Sequence, residues 1–551
     1  MTNVLEWLEH MEGQAGEKIA VADPKEKYSF TQLKTYAQKS GTYLRKWMTG
    51  TFPVAIYMEK SCATLSIMLG AVYAGCPYCL LDLRQPDVRL RQILKVLQPE
   101  VIVTKEENLE KIRNCVGEMG GDVRNTTILL AENCLNEMEI DQKLLKQIRK
   151  KHTDRNPLYI NFTSGSTGLP KGVAVSHRAV IDFIRIYADT FDITKEDIIG
   201  NQAPFDFDVS VKDIYTGLLT GAKVQIIPRE YFSDPTTLMD YMADSKITVL
   251  TWAVSAMCFV SVMNGFDYRT PDTVRKVLFS GEVLPVKHYR VWKKYLPQAM
   301  FVNLYGPTEV TCNCTYYVLD PADKYELTDV IPIGKSFPNE RVFLLDEADQ
   351  EVTEAGMNGE ICVSSSELAL GYYNAPDKTA QVFVQNPLNH LYDERIYRTG
   401  DLAKYDAEGN LVYISRKDFQ IKHLGHRIEL GEIEVAANAV NGISRSCCIY
   451  EAEKERLLLF YTGECEKRQL IKLLRGALPP YMIPNMALRL AEMPMTKNGK
   501  IDRNKLMKLY EESYMQDILK SNTPAFVFDT AALKKRVAQI KEIVGETVSL
   551  C

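Results

Sequence analysis

Short apolar runs recur along the first half of the chain: PVAIYM (53–58), EVIVT (100–104), LYINFT (158–163), AKVQII (222–227) and ITVLTW (247–252). A strand with one wet face alternates apolar and polar residues. These runs are nearly continuous, so they belong to strands covered on both faces. Between them lie stretches of helical period such as SHRAVIDFIRIYADTF (176–191). Strands buried on both sides and joined through helices build largely parallel sheets, and the alternation predicts an α/β architecture. Residues 105–156 are charged and less patterned, and read as surface helices and loops. From about residue 340, short strand patterns (RVFLLDE, GEICVSS, LVYISR) with turn signals between them predict a β-rich subdomain. A polar, basic stretch, SRKDFQIKHLGHR, starts at Ser415 and marks a boundary, beyond which roughly a hundred residues suffice for a small α+β domain. The expected limits are 1–415 for a large N-terminal unit, 416–510 for the small one and 511–551 for a linker and a further fragment.

At 551 residues the chain exceeds what one hydrophobic core supports, in keeping with several domains. With 66 basic and 71 acidic residues and a formal net charge of −5, general affinity for nucleic acid or for an acidic membrane is not expected. The acidic start, MTNVLEWLEHMEG, lacks the basic and apolar regions of a secretory signal. The uncharged run CATLSIMLGAVYAGCPYCLL (62–81) has the length of a membrane span. Its Ser, Thr, Gly and Pro content fits better a buried helix over 63–74 that stops at Gly75 and leads into a strand. Thirteen scattered cysteines point to free thiols in a reducing compartment, so a cytoplasmic location is expected. Cys76-Pro-Tyr-Cys79 has the spacing of a redox pair, yet it follows a helix instead of opening one and reads as buried packing.

FTSGSTGLPKG (162–172) presents backbone N–H groups, hydroxyls and the cation Lys171, a donor-rich surface suited to an anion. It is expected between the strand LYIN and a helix capped by Ser176, the context of a phosphate loop. It is not a Walker A loop, because Gly172 follows Lys171 where that pattern needs Ser or Thr.

YINFTSGSTGLPKGV resembles the phosphate-loop signature of the adenylate-forming superfamily, enzymes that activate carboxylates with ATP. YSFTQLKTYA (28–37), LGAVYAGCPYCLLD (69–82), NLYGPTEVT (303–311), YRTGDLAKY (397–405), SRKDFQIKHLGHRIELGEIE (415–434), LPPYMIP (478–484) and NGKIDR (498–503) resemble that family's other motifs, in order. The resemblance covers residues 1 to about 510 and implies a large N-terminal domain followed by a small mobile C-terminal one. It also implies roles. Thr163, Ser164, Ser166, Thr167 and Lys171 would hold the β- and γ-phosphates and then pyrophosphate. Asn303 would belong to the nucleotide site, Tyr305 would stack on adenine, Thr308 would contact the α-phosphate and Glu309 would hold Mg²⁺. Asp401 would grip the ribose hydroxyls and Arg416 would contact ribose or phosphate. Lys500 would bridge the substrate carboxylate and the α-phosphate in the transition state. Asp418 would be the hinge about which the small domain turns, so that a phosphopantetheine thiol can attack the adenylate. Ser415 stands where the family usually has Gly, a departure that would stiffen the hinge.

Asp208, in NQAPFDFDVSVKDIYTGLLTGA (201–222), matches the aspartate that pairs with the substrate α-ammonium in amino-acid-activating members. An unpaired buried carboxylate is costly, so its presence implies an amino-acid substrate. This stretch, with SGEVLP (280–285), is similar to D-alanine:carrier-protein ligases and free-standing adenylation domains of peptide synthetases. By the same resemblance Val209, Lys212, Thr251, Leu278, Ser280, Leu304, Cys312 and Asn313 line the side-chain pocket. Lys212 departs from the family pattern and leaves two readings. Facing inward, it needs an anion and favours an acidic side chain. Snorkelling outward, the reading favoured here, it leaves a pocket for Ala, Ser or Cys.

SNTPAFVFDTAALKKRVAQIKEIV (521–544) resembles the opening of fold-type III pyridoxal-phosphate decarboxylases, without the Schiff-base lysine, and suggests the front of a longer fusion. No carrier segment of the Gly-Gly-x-Ser type occurs, so the thiol acceptor is expected on a separate carrier protein or farther along. The expected activity is therefore formation of an aminoacyl adenylate from ATP with Mg²⁺, then transfer to a phosphopantetheinylated carrier. The rivals are activation of a non-amino carboxylate in the manner of acyl-CoA synthetases, and a non-catalytic binding or redox module.

Overall fold

The computed structural model describes residues 1–120, 125–164, 169–322, 325–327, 329–417, 420–495 and 501–520. Two large sheets dominate the N-terminal part. The first has seven strands in the order Gly371–Tyr372, Lys171–Ser176, Pro157–Thr163, Tyr78–Leu80, Val54–Tyr57, Val101–Thr104 and Thr127–Leu130. From Pro157–Thr163 onward its neighbours run parallel. The second has nine strands, and the six from Met300–Tyr305 through Lys276–Ser280, Val249–Ala253, Ile198–Asn201 and Lys223–Ile226 to Ile19–Ala22 are parallel. Each apolar run singled out in the sequence is one of these strands.

Both sheets share one core, into which the helices Cys62–Tyr73, His177–Thr190 and Val209–Thr220 are packed. Every residue of Cys62–Tyr73 except Ala63 is buried, as befits a helix that is apolar all round. It ends at Ala74, turns through Gly75 with φ of 77° and enters Tyr78–Leu80, as its composition predicts. Among the described residues no helix is long and apolar enough to cross a membrane. The hydroxyls of Tyr78 and Tyr215 meet at 2.9 Å and join sheet to helix inside this core.

Two expectations need correction. The Gly-rich loop does not lead straight into a helix. KGVAVS forms the strand Lys171–Ser176, antiparallel to Pro157–Thr163, and only then does Ser176 cap the helix His177–Thr190 by accepting from the Ala179 N–H. Its Gly-Val-Ala-Val core is short and apolar, and it finds a ready edge on the preceding strand. Within 105–156, Thr127–Leu130 is a strand that extends the parallel sheet beside Val101–Thr104. Being at the edge, it is only partly buried and shows no strong pattern.

The β-rich subdomain is a six-stranded antiparallel sheet centred on Asn358–Ser365 and Arg395–Tyr405, with Leu411–Arg416, paired to the latter, as one of the six. The sheet changes between Arg416 and Gln420. A hairpin of Gln420–His423 and His426–Glu429 opens the small C-terminal domain. This domain has its own three-stranded sheet (Ile443–Glu451, Arg456–Gly463, Met486–Arg489), helices Leu430–Asn438 and Lys467–Ala477, and its own core. The segment 521–544 lies outside the described residues.

The two domains are held together by a buried ion pair, Arg89 of the helix Asp87–Leu97 with Glu432 of Leu430–Asn438, whose side chains are 5% and 3% exposed. Arg89→Met leaves Glu432 without this partner, a change that costs about 3–5 kcal/mol for a buried pair. Because the pair joins two domains, the cost should appear as undocking. Hydrogen exchange of 420–438 is expected to speed up while Val249–Ala253 stays protected, and adding Glu432→Leu should restore docking.

Candidate functional site

Thr163 and Lys171 face each other in the register at the mouth of the phosphate-loop hairpin. Thr163 Oγ1 is buried with no hydrogen-bond partner among the described residues, a group that a ligand would complete. Ser164 Oγ donates to the Arg427 carbonyl at 2.6 Å. Lys171 Nζ lies 3.9 Å from Glu429 Oε1 and 5.2 Å above the Tyr372 ring. Burial lowers the Lys171 pKa and Arg427 adds to that, while Glu309 and Glu429 oppose them. Ser166, Thr167, Asp418 and Lys500 lie outside the described residues.

The strand Met300–Tyr305 ends in a tight return over 306–313. A Cβ on Gly306 would stand 2.3 Å from Asn313 Cα and 2.7 Å from the Cys312 carbonyl oxygen, so the chain folds back here only on glycine. Thr311 and Cys312 both have positive φ, 46° and 81°, strain of a kind that gathers at functional sites. Within this return Glu309 is fully buried. The Tyr372 hydroxyl donates to its Oε1 at 2.7 Å, and Arg427 Nη1 donates to both oxygens at 2.9 and 3.2 Å. Burial raises the Glu309 pKa, but Arg427 and Lys171 outweigh it and hold the carboxyl at about 2. Among the described residues no three His, Cys, Asp or Glu side chains converge as a metal cage. A single ionised carboxylate still fits Mg²⁺, which is commonly held by one or two carboxylates together with phosphate oxygens.

Asp401 and Arg416 are direct cross-strand partners. Arg416 Nη1 donates to Asp401 Oδ1 at 3.0 Å and the Tyr305 hydroxyl donates to Oδ2 at 2.5 Å. Lys422 Nζ stands 5.3 Å over the Tyr305 ring. The Asn303 amide donates to the carbonyls of Ile331 and Pro332, so its nitrogen braces that segment.

Asp208 stands immediately before the helix Val209–Thr220 and is 6% exposed. Burial raises its pKa, against a hydrogen bond from Thr308 and the charge of Lys212. Cys312 Sγ donates to the Asp208 carbonyl at 3.0 Å and ties the strained return to the helix start. Val209, Thr251, Leu278, Ser280, Leu304, Cys312 and Asn313 are all buried, and none of them lines the cavity on which Asp208 stands. Parallel pairing sets Thr251 beside Leu278 and Ala253 beside Ser280.

Lys212 does not snorkel outward. It is 1% exposed and its ammonium donates to Asn313 Oδ1, with Asp208 and Asp213 close enough to raise its pKa against the stronger lowering by burial. The physical reason is the helix itself: every residue from Val209 to Leu218 is buried, so no face leads to water. Asp213 accepts from Asn201 Nδ2 at 2.9 Å, and burial pushes its carboxyl up to about 7. Lys60 donates to Asn201 Oδ1 and to the carbonyls of residues 201–203, and burial lowers it to about 7.

Thr163, Ser164, Asp208, Thr308 and Arg427 line a cavity of about 70 Å³. Phe207 and His426 line both this cavity and a larger one of about 230 Å³ between the domains, together with Lys60, Arg229 and Gly425. Cys76 and Cys79 are 2% and 0% exposed and unpaired, and burial raises both thiols, Cys76 to about 12. Such thiols make poor redox nucleophiles. The sequence reading missed Arg427, Tyr372, Lys60 and Asp213. Arg427 lies inside a quoted motif, GHRIE, and Asp213 inside the quoted stretch 201–222, whereas Tyr372 and Lys60 carry no motif signal.

The family model for AMP-binding enzyme matches residues 8–373. The chain belongs to the AMP-binding enzymes. It is an AMP-forming ligase. It is 32% identical over 511 residues to zwittermicin A synthase ZmaJ of Bacillus cereus, covering 90% of this chain and 93% of that protein. It is 33% identical over 470 residues to the L-proline--[L-prolyl-carrier protein] ligase of Streptomyces coelicolor, covering 82% and 86%. Tyrocidine synthase 1 of Brevibacillus parabrevis is 29% identical over 89% of this chain, which spans only 43% of that longer protein. Among solved structures, holo-PA1221, an NRPS protein containing adenylation and PCP domains, superposes with a TM-score of 0.78 at 25% identity, covering 92% of this chain and 84% of that one. The Vibrio cholerae adenylation domain AlmE shares the fold, with a TM-score of 0.78 at 20% identity over 93% and 98%.

Glu309 is ionised far more readily in the folded enzyme (about 2) than its ordinary value of 4.5. A depressed carboxyl stabilises the fold above the unfolded value, and that stability is lost as pH falls through the folded one. Between about pH 5 and 2 the native protein should lose on the order of 3 kcal/mol more than Glu309→Gln. Urea titrations at several pH values check this: the variant should be weaker at pH 7 and flatter in acid.

Proposed function

We propose that this ligase activates an amino acid as its aminoacyl adenylate, releasing pyrophosphate, and passes the aminoacyl group to the phosphopantetheine thiol of a carrier protein. The observation that carries the reading is Asp208. It is a buried carboxylate whose pKa burial raises, and it stands on a cavity that also meets the phosphate loop. A substrate α-ammonium placed there pairs with the carboxylate from the cavity side and brings the substrate carboxylate toward Thr308 and Ser164. The carboxylate oxygen attacks the α-phosphorus in line, and pyrophosphate leaves.

The roles follow the chemistry of each group. Thr163, Ser164, Ser166, Thr167 and Lys171 donate to the outer phosphates. Tyr305 offers its ring to adenine, and Asp401, oriented by Tyr305 and Arg416, accepts from the ribose hydroxyls. Mg²⁺, held by Glu309 and phosphate oxygens, would offset the triphosphate charge. Lys500 binds the developing charge at the α-phosphate, and turning about Asp418 then withdraws it. The carrier's thiol sulfur, having lost its proton, attacks the adenylate carbonyl carbon. The carbon–oxygen bond to phosphate breaks and AMP leaves. The 230 Å³ cavity between the domains, which shares Phe207 and His426 with the smaller cavity, supports this route for the thiol. We take the units as 1–415 and 416–510. The described cysteines are all unpaired, which supports a cytoplasmic location.

With Lys212 inside, the pocket favours a small side chain ending in an oxygen acceptor, aspartate ahead of serine because a carboxylate meets the ammonium directly. Exchange of labelled pyrophosphate into ATP, across the twenty L-amino acids and D-Ala, D-Ser and D-Asp, tests the whole reading. Lys500→Ala should lower exchange at least ~100-fold. Asp208→Asn should raise the amino-acid KM by roughly 100-fold, and Lys212→Met should shift preference toward alanine. Exchange with no amino acid would overturn the reading and turn the search to other carboxylates.

A further inference from the structure

We propose that Asp206 is the general base of the transfer step, taking the proton of the carrier's thiol as its sulfur attacks the adenylate. The proposal rests on the reading of the chain as an aminoacyl-adenylating enzyme. Asp206 lies two residues before the ammonium anchor Asp208 and lines two cavities. One is the 70 Å³ cavity that it shares with Asp208, Thr308 and Ser164. The other, of about 20 Å³, it shares with Asp82, Lys60 and Arg229. Each has walls in common with the 230 Å³ cavity proposed for the thiol, the first through Phe207 and His426, the second through Lys60 and Arg229. A base at Asp206 therefore stands at the junction where a thiol entering by that route meets a carbonyl carbon held near Thr308. The S–H proton passes to the Asp206 carboxylate and the sulfur's electron pair forms the bond to carbon. The carbon–oxygen bond to phosphate breaks, AMP leaves with that electron pair, and Asp206 gives its proton to water.

The charges nearby give two neighbouring carboxylates different tasks. Arg84 grips Asp82, its Nε and Nη2 donating to the two oxygens at 3.1 and 2.7 Å, and Arg229 approaches to 4.0 Å. Burial raises the Asp82 pKa, but Arg84 and Arg229 outweigh it and keep the carboxyl below its ordinary value. For Asp206 the balance is reversed. Burial pushes its carboxyl up to about 7 and the Asp82 charge adds to that, against its own backbone N–H, Arg229 and Arg84. A pair driven apart in this way supplies a fixed anion and a proton acceptor. A thiol ionises at about 8.5 in water, so an acceptor that titrates close to neutrality is matched to it. The other groups at the junction are poorer candidates. His426 stacks on Tyr481 with centroids 3.7 Å apart, and burial, Arg229 and Arg84 lower it to about 3, too weak a base for a thiol. Lys60 Nζ is surrounded by four acceptor oxygens, the setting of an ammonium and not of a free lone pair. Glu59, on the wall of the large cavity, is exposed to solvent. Arg89 and Arg427, on the wall of the 70 Å³ cavity, are paired with Glu432 and Glu309. Burial raises the Cys79 thiol and the Tyr481 hydroxyl, which stay neutral beside Asp206.

Rapid-quench transfer from the adenylate to phosphopantetheine, used as a soluble thiol with an amino acid that supports pyrophosphate exchange, tests this on the full chain. Asp206→Asn should slow transfer about 100-fold more than it slows exchange. In the native protein the transfer rate should fall about tenfold per pH unit below about 7 and level off above it. In Asp206→Asn it should go on rising toward the thiol's own value of about 8.5. Asp206→Glu should recover part of the loss. Thiophenol, an acidic thiol already largely ionised at neutral pH, needs no base and should react equally with native protein and Asp206→Asn. An Asp206→Asn variant that keeps the native transfer rate and pH profile would overturn the proposal. So would equal losses of exchange and transfer, which would place Asp206 in substrate binding or in the fold. A loss with thiophenol as large as that with phosphopantetheine would overturn it too. If the native protein supports exchange with no amino acid, the parent reading fails and this step fails with it.

Discussion

Burial of both faces of two largely parallel sheets, one face of each in a shared core and the other against helices of its own, is the constraint on which the rest depends. With helices covering both faces of each sheet, ligand chemistry is left to the carboxyl ends of the strands. Thr163 ends Pro157–Thr163, Tyr305 ends Met300–Tyr305, Ser280 ends Lys276–Ser280, and Lys60 follows Val54–Tyr57 by three residues. Lys60 and Asn201, 141 positions apart, meet there because the strands Val54–Tyr57 and Ile198–Asn201 enter the same core.

The return after Tyr305 shows how that placement is fixed. Gly306 allows a contact no side chain would tolerate, and Thr311 and Cys312 accept unfavourable φ values. In exchange the carboxylate of Glu309 is held in the interior and Cys312 is locked to the Asp208 carbonyl. The two carboxylates proposed as metal ligand and ammonium anchor, Glu309 and Asp208, are thereby tied to one loop before any substrate arrives.

The α/β architecture was legible because strands buried on both faces leave continuous apolar runs, the β-rich subdomain because its short strands are set off by turn signals, and the small terminal domain because a polar, basic stretch precedes it. The phosphate-loop hairpin was not, because Lys171–Ser176 is a short strand whose identity depends on pairing with Pro157–Thr163. Asp208, Glu309 and Asp401 drew their proposed roles from the motifs they sit in, and all three are buried in the structure. Arg427 went unassigned although its motif was read, since its partner stands 118 residues upstream and nothing local announces a guanidinium aimed at a buried glutamate. Lys212 was misread in direction. Snorkelling presumes a wet face, and a helix with no wet face shows no period from which to learn that.

The pairing of Asp401 with Arg416 has a mechanical consequence. Arg416 is the last residue of the strand that closes the large domain's sheet, and Gln420 is the first in the hairpin of the small one. Four peptide steps reach at most about 14 Å. A tether that short forbids the small domain to drift away and return. Any exchange between its faces must be a turn about a nearly fixed point, so both faces stay at high effective concentration throughout the cycle.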